Sequence, residues 1–337
     1  MDKNDVPVTH PSKLRQHLDS VVKNAKSFQK FLLNKETNEF LGRDGLSWAK
    51  ITFFYFIFYT ALSSLFVGYL AIYVSTTIGN DRPKYVAEQS TMASRNSLNP
   101  GLGFRPQIDT EDMLIFYQQN DENQEKLTRN LDIFLAKKYE SLSQTGTIID
   151  DCENQDLEEL RKKFRNESAY CQYDYKRILE GTSCDPARDY GYESGPCVLL
   201  KLNKIFEWVP EPFETFEKFP LDSSLLLNRT DLLTNNVIVS CDGEYPADQD
   251  ALRQAKISYF SANSKILSFE KLGLLPNYYY PFLNQPGYKA PLVFIHFQNI
   301  PQNQLILVLC KAYSANIDSE DKINLRGMVR LQLFEKN

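Results

Sequence analysis

The chain has 337 residues, with 38 lysines and arginines against 43 aspartates and glutamates, for a net charge of −5. That acidic balance argues against a nucleic-acid partner, whose phosphates call for a basic surface. Only His10, His17 and His296 are present, so chemistry that needs an imidazole base has few places to occur.

Residues 1–50 read as a cytoplasmic tail. They are polar and carry nine basic side chains, and residues 1–35 lack a strong apolar face. Residues 51–78, ITFFYFIFYTALSSLFVGYLAIYVSTTI, contain no charge. A bilayer core of ~30 Å needs about 20 apolar helical residues, and a helix satisfies its own backbone in lipid. This is the sole run of its kind, so the chain is expected to cross a bilayer once. Lys30, Lys35, Arg43 and Lys50 lie before it, and only Arg82 and Lys84 follow closely. The positive-inside rule therefore places the N-terminus in the cytoplasm and the remainder outside. The apolar run and its leader are too long for a cleaved signal peptide, which leaves a signal anchor of type II topology.

Within the span, Tyr55 and Tyr59 are four residues apart and share a face. Ala61, Ser64 and Gly68 form a stripe of small residues that admits a second helix closely. The alternative is an aromatic helix that faces lipid. Trp48 suits the headgroup level, and Lys50 can snorkel.

Residues 79–337 carry 29 basic and 37 acidic side chains. Residues 79–110, rich in Pro, Asn, Gly and Ser, read as an extended stalk. Met113, Phe116, Tyr117, Leu127, Leu131, Phe134 and Leu135 predict a helix over 111–140, and DLEELRKKF predicts another over 156–164. From Cys197 the chain turns to short β-rich runs at 197–202, 236–241, 291–297, 305–310 and 328–334. They predict an antiparallel β-sandwich with helices in the insertions, within one β-rich ectodomain over 111–337. His296 lies inside one of these runs and reads as a core histidine.

All six cysteines, Cys152, Cys171, Cys184, Cys197, Cys241 and Cys310, follow the span. An exported compartment favours disulfides over buried free thiols, and six cysteines allow 15 pairings. Asn166 and Asn228 head N-x-S/T sequons on the same side. Asp248-Gln249-Asp250 has the D-x-D spacing with which a type II glycosyltransferase holds a metal and a nucleotide sugar, but its polar setting reads as a solvated acidic loop. No other motif suggests a catalytic, metal or cofactor site.

Several motifs then occur in order: Phe40-Leu-Gly-Arg43 with Ser47-Trp48, the Phe54-Tyr55 and Phe58-Tyr59 steps, Asp81-Arg82-Pro83, and Pro100-Gly-Leu-Gly-Phe-Arg-Pro106. Gly191-Tyr192, Pro196-Cys197 and Lys201-Leu202-Asn203-Lys204 follow. Tyr279-Tyr280-Pro281, Gln285-Pro286-x-Tyr288, Pro291-Leu292-Val293 and Cys310-Lys311-Ala312-Tyr313 with Asn316-Ile317 complete the series. Nearly the whole chain after about residue 40 thereby resembles the β subunits of sodium,potassium- and proton,potassium-transporting ATPases. The resemblance implies an immunoglobulin-like fold and a plasma-membrane glycoprotein that is not an enzyme. It implies that the chain supports folding, delivery and potassium occlusion of a catalytic α subunit. It further implies the pairings Cys152–Cys171, Cys184–Cys197 and Cys241–Cys310, and α contacts at Tyr55, Tyr59, Tyr279, Tyr280 and Tyr288, to which the stripe of small residues adds Gly68. A small single-span regulatory subunit can accompany such a pair. Two sequons favour the sodium,potassium type. The chain departs from the family pattern at Ser314, where glycine is usual, and in a shortened segment before Gln285. A pump-independent adhesion protein is the remaining alternative.

Overall fold

The computed structural model describes residues 23–24, 27–29, 31–34, 37–78, 82–86, 99–109, 111–119, 121–140, 146–262, 271–320 and 325–337. His10, His17, most of the tail, Asp81 and the middle of the expected stalk lie outside these. The chain divides into two compact units, Met1–Asn80 and Asp81–Asn337.

In the first unit, β1 (Leu33–Asn34) and β2 (Glu39–Phe40) form a small antiparallel pair before α1 (Gly45–Thr77). The Asp44 carboxylate accepts from the Ser47 amide at 3.2 Å and starts the helix. The Trp48 indole donates to the Phe40 carbonyl at 2.8 Å, which ties the helix start to β2. With 33 residues α1 is ~50 Å long, and among the described residues it is the helix long and apolar enough to cross a membrane.

In the second unit, β3 (Leu102–Arg105), β7 (Cys197–Leu202), β11 (Val293–Gln298) and β9 (Lys256–Ser261) form a sheet in the order β3-β7-β11-β9. The other large sheet runs β10-β8-β12-β13-β4, from β10 (Gly273–Pro276), β8 (Asn236–Gly243), β12 (Leu305–Tyr313), β13 (Met328–Lys336) and β4 (Leu114–Gln118). A minor pair joins β5 (Ile148–Ile149) to β6 (Tyr170–Cys171). The five sequence-predicted runs all appear as strands. Strands β3, β4, β9 and β10 were not among them.

Two expectations change here. Residues 114–118 form a strand, and the helix α2 begins only at Glu122 (Glu122–Leu135). Ile115 and Tyr117, two residues apart, are fully buried, whereas Phe116 points the other way, so the local period is that of a strand. Part of the expected stalk is also strand: Leu102 and Phe104 enter the core while β3 pairs with β7. Pro and Gly around them masked that alternation. The sandwich is antiparallel except that β4 lies parallel to β13.

Val237, Val239 and Leu275 join the main core, together with Leu200, Ile295, Val308 and Leu331 from both sheets. Ile238, Leu274 and Tyr313, on the other face, enter a second core roofed by Phe219, Leu226, Leu232 and Leu233. Strand β8 is therefore apolar on both sides, which explains its continuous apolar reading. Helices α2, α3 (Leu157–Asn166) and α4 (Tyr175–Leu179) pack Leu127, Leu131, Leu135, Leu160, Phe164 and Leu179 onto the main core. Disulfides join Cys152 to Cys171, Cys184 to Cys197 and Cys241 to Cys310. The last pair stands directly opposite in the β8–β12 ladder.

His296 is fully buried on β11. The Gln298 amide and the Ser183 hydroxyl meet its Nδ1 at 2.9 and 2.7 Å, and its Nε2 faces the Gly191 and Gly195 carbonyls at 3.2 and 3.1 Å. This pattern suits a neutral ring protonated at Nε2. Gly191 has φ +75° and Gly195 +146°, and a Cβ on either would collide with the Nε2 atom or with the Phe297 carbonyl. Gly191 and Gly195 are thus required by the way the loop wraps this ring. Burial pushes the imidazole below its ordinary value, partly offset by the two carbonyls.

The unfolded chain takes up this proton below about pH 6.5, where the folded protein resists it. The stabilising contribution is complete above about 6.5 and is lost as the pH falls from there through the folded value, by at most ~1.4 kcal/mol per pH unit. Thermal unfolding between pH 7 and 5 should show a falling midpoint that is shallower in His296→Gln. An equal slope in both would remove His296 from this role.

Candidate subunit interface

None of the side chains of α1 is buried within the chain. Its hydroxyls differ in whether the helix itself satisfies them. Thr60 donates to the Phe56 carbonyl at 2.7 Å, Ser64 to Thr60 at 2.8 Å and Thr76 to Ile72 at 2.8 Å. Those groups are satisfied by their own helix. The Tyr55 and Tyr59 rings stack at 6.0 Å. Among the described residues, no partner meets either phenol.

Tyr55 and Gly68 lie thirteen residues apart, so at ~100° per residue they do not share one simple face. They nevertheless line one open groove, together with Trp48, Thr52, Thr60 and Ser64. The groove runs between two rows at four-residue spacing: Ile51, Tyr55, Tyr59, Ser63 and Val67 form one, and Trp48, Thr52, Phe56, Thr60, Ser64 and Gly68 the other. Such rows are inclined to the helix axis. The groove thus winds from the tyrosines to Gly68, where an added Cβ would meet nothing within 4 Å. Pairwise spacing found the tyrosine face and the small stripe, but not the groove that joins them.

The tyrosines of the second unit are placed differently. Tyr279, Tyr280 and Tyr288 are each 6 % exposed and belong to this chain's own core. Tyr279 donates to the Gln172 carbonyl at 3.2 Å and stands edge-on to Tyr173. Tyr280 packs edge-on against Trp208 at 5.5 Å. Tyr288 lies against Phe282 at 5.2 Å. Burial holds all three phenols above their ordinary value, so they stay neutral. The aromatic character of this segment faces inward. What it presents at the surface is the turn through Asn284 and Pro286 and part of Phe282. Asn166 and Asn228 are both exposed, at the end of α3 and in a turn before α5 (Thr230–Asn235).

The two aspartates of the D-x-D spacing are not a pair. They lie on helix α6 (Pro246–Gln254) rather than in a loop. Asp248 is 5 % exposed and accepts from the backbone amides of Tyr245 at 3.2 Å and Leu307 at 3.0 Å. It caps the helix and fastens it to β12. Asp250 faces solvent and pairs with Arg253 at 2.9 Å. Among the described residues, no group of three or more His, Cys, Asp or Glu side chains is arranged to hold a metal ion. Ser314 is buried, and its hydroxyl donates to the Glu211 carbonyl, an anchor that glycine could not supply.

One helix of membrane-crossing length, followed in sequence by a disulfide-bonded two-sheet domain, defines the class of this molecule. The sodium/potassium ATPase beta chain family profile matches residues 19–331. The sodium/potassium-transporting ATPase subunit beta-1 of Drosophila melanogaster is 31 % identical, covering 92 % of this chain and 93 % of the relative. The probable subunit beta-3 of Caenorhabditis briggsae is 29 % identical over 92 % and 86 %. The human subunit beta-2 is 24 % identical over 88 % and 89 %. The chain belongs to the sodium/potassium ATPase beta chain family.

Asp248→Ala leaves two partly buried amides without their acceptor and should cost about 1–2 kcal/mol in urea unfolding. Asp250→Ala removes a surface pair and should stay within about 0.5 kcal/mol. The reverse order would overturn the capping assignment.

Proposed function

We propose that this chain is the non-catalytic β subunit of a sodium/potassium pump and assists its catalytic α subunit in folding, membrane delivery and potassium occlusion. Family membership over most of the chain supports the subunit role. The single observation behind the contact surface is the pair of phenols, Tyr55 and Tyr59, without a partner on a helix of bilayer length. A hydroxyl in hydrocarbon gains from a polar partner, and a neighbouring helix can supply one. Gly68 gives that neighbour room at the far end of the groove.

The orientation in this reading is type II at the plasma membrane. Residues 1–50 are cytoplasmic, 51–78 span the lipid, and the rest is an extracellular stalk and an immunoglobulin-like sandwich with inserted helices. Lys30, Lys35, Arg43 and Lys50 before the span support it, as do the cysteines and sequons after it. Asn166 and Asn228 then carry glycans. The tyrosine-rich segment meets α through its turn rather than through the rings of Tyr279, Tyr280 and Tyr288. A small single-span regulatory subunit can join through α.

Co-expression with a sodium/potassium pump α subunit, followed by capture from mild detergent and ouabain-sensitive ATP hydrolysis, tests the proposal. The wild-type chain should recover active α, and Tyr55→Leu with Tyr59→Leu should lower recovery about tenfold. A folded chain that reaches the surface without α would instead favour adhesion.

A further inference from the structure

We propose that Arg105, Lys201 and Lys204 form a docking strip for an extended, carboxylate-bearing segment of the catalytic subunit; this rests on the subunit reading above. The ladder between β3 and β7 sets Gly103 opposite Lys201 and Arg105 opposite Leu199, so Arg105 and Lys201 rise from the same sheet face. Both reach the same ring: the Arg105 guanidinium lies 5.5 Å and the Lys201 ammonium 5.8 Å from the Phe134 centroid. Lys204, just past β7, sits 4.7 Å from Phe282 and 5.0 Å from Tyr288. Arg105 and Lys201 are half-buried, and Lys204 is exposed.

Some cations of this domain, among them Lys126, Lys163, Lys176, Arg229, Arg253 and Arg330, meet a carboxylate within 4.0 Å. Among the described residues, no carboxylate pairs with Arg105, Lys201 or Lys204, although acidic residues outnumber basic ones in this half of the chain. Burial and then the like charges of Arg105 and Lys138 hold the Lys201 ammonium below its ordinary value. Partial covering of its ammonium over the two rings, and then the charges of Lys201 and Lys138, lower Lys204 as well. The aromatic rings steady the cationic side chains without neutralising them. A carboxylate arriving from outside would relieve the mutual repulsion and give the contact its specificity.

The arrangement favours carboxylates over a single phosphate. A phosphate site gathers donors and backbone amides around one point. Here the cations are spread over two ring systems, and Lys201 and Lys204 are separated by up to ~10 Å of extended chain. That spacing suits acidic side chains along an extended segment.

The test uses the full chain carrying Arg105→Gln, Lys201→Gln and Lys204→Gln, co-expressed with the α subunit and captured at ~50 to ~500 mM sodium chloride. Wild-type recovery should fall with salt. The triple variant should recover about fivefold less α at low salt, with a flattened salt response, and Lys201→Arg with Lys204→Arg should retain binding. Its thermal midpoint should stay level or rise, because like charges are removed. Unchanged recovery and salt response overturn the proposal while leaving the subunit reading intact. A lowered midpoint with lost association makes the cations structural and also overturns it. So does retention on immobilised heparin that the variant loses while α recovery is unchanged, which would assign the strip to a sulfated polysaccharide. If the folded, disulfide-bonded wild-type chain captures no α at all, both readings fall.

Discussion

The second unit depends on the pairing of its last strand with one of its first. Strand β13 lies between β12 and β4, so residues 114–118 are held by residues 332–336. The Tyr117 phenol donates to the Glu335 carboxylate at 2.9 Å, and the Gln302 amide donates to the other oxygen at 3.1 Å. Both Tyr117 and Glu335 are buried, so this polar contact forms where water cannot compete. The five-stranded sheet is complete only when the two ends of the domain meet. Contacts of such sequence separation are slow to form, and the Cys241–Cys310 bridge fixes the β8–β12 register on which they build.

With the sheet closed, aromatic residues serve the interior. Tyr139, Tyr173 and Tyr279 make successive ring contacts at 5.9 and 5.4 Å, and Trp208 meets Tyr280. A tyrosine-rich segment on an external domain invites the reading of a sticky surface. Here it supplies bulk to a core whose helices and sheets must be filled between. The surface beside it is cationic instead, with Lys204 lying over two of the rings that bound that core. Rings below and charge above suit recognition by specific ionic pairing more than broad apolar adhesion.

The long apolar helix of the first unit works by the opposite logic. It has no core of its own, so each polar side chain must either satisfy itself or find a partner elsewhere. Thr60, Ser64 and Thr76 do the first. Tyr55 and Tyr59 stack on each other yet leave their phenols unspent. Two rows at four-residue spacing turn these separate features into one inclined groove.

Residues 51–78 determined a long apolar helix, realised as Gly45–Thr77, because an uncharged run of that length satisfies its own backbone as a helix. The runs at Cys197, Asn236, Pro291 and Leu305 determined their strands as near-continuous apolar stretches, and the run at Met328 did so by alternation. The ordered motifs carried the family. Tertiary structure alone decided the rest. Strand β4 was hidden because Phe116 and Tyr117 also fit a helical period, and only its pairing with β13 selects the strand. Asp248 and Asp250 look equivalent two residues apart, until helix α6 turns one into the core and the other toward water. Tyr279, Tyr280 and Tyr288 looked like a surface because tyrosine suits interfaces and interiors equally, and burial is a property of neighbours far away in the chain. The cationic strip was invisible for the same reason: Arg105, Phe134, Lys201 and Phe282 come from four separate segments that meet only in the fold.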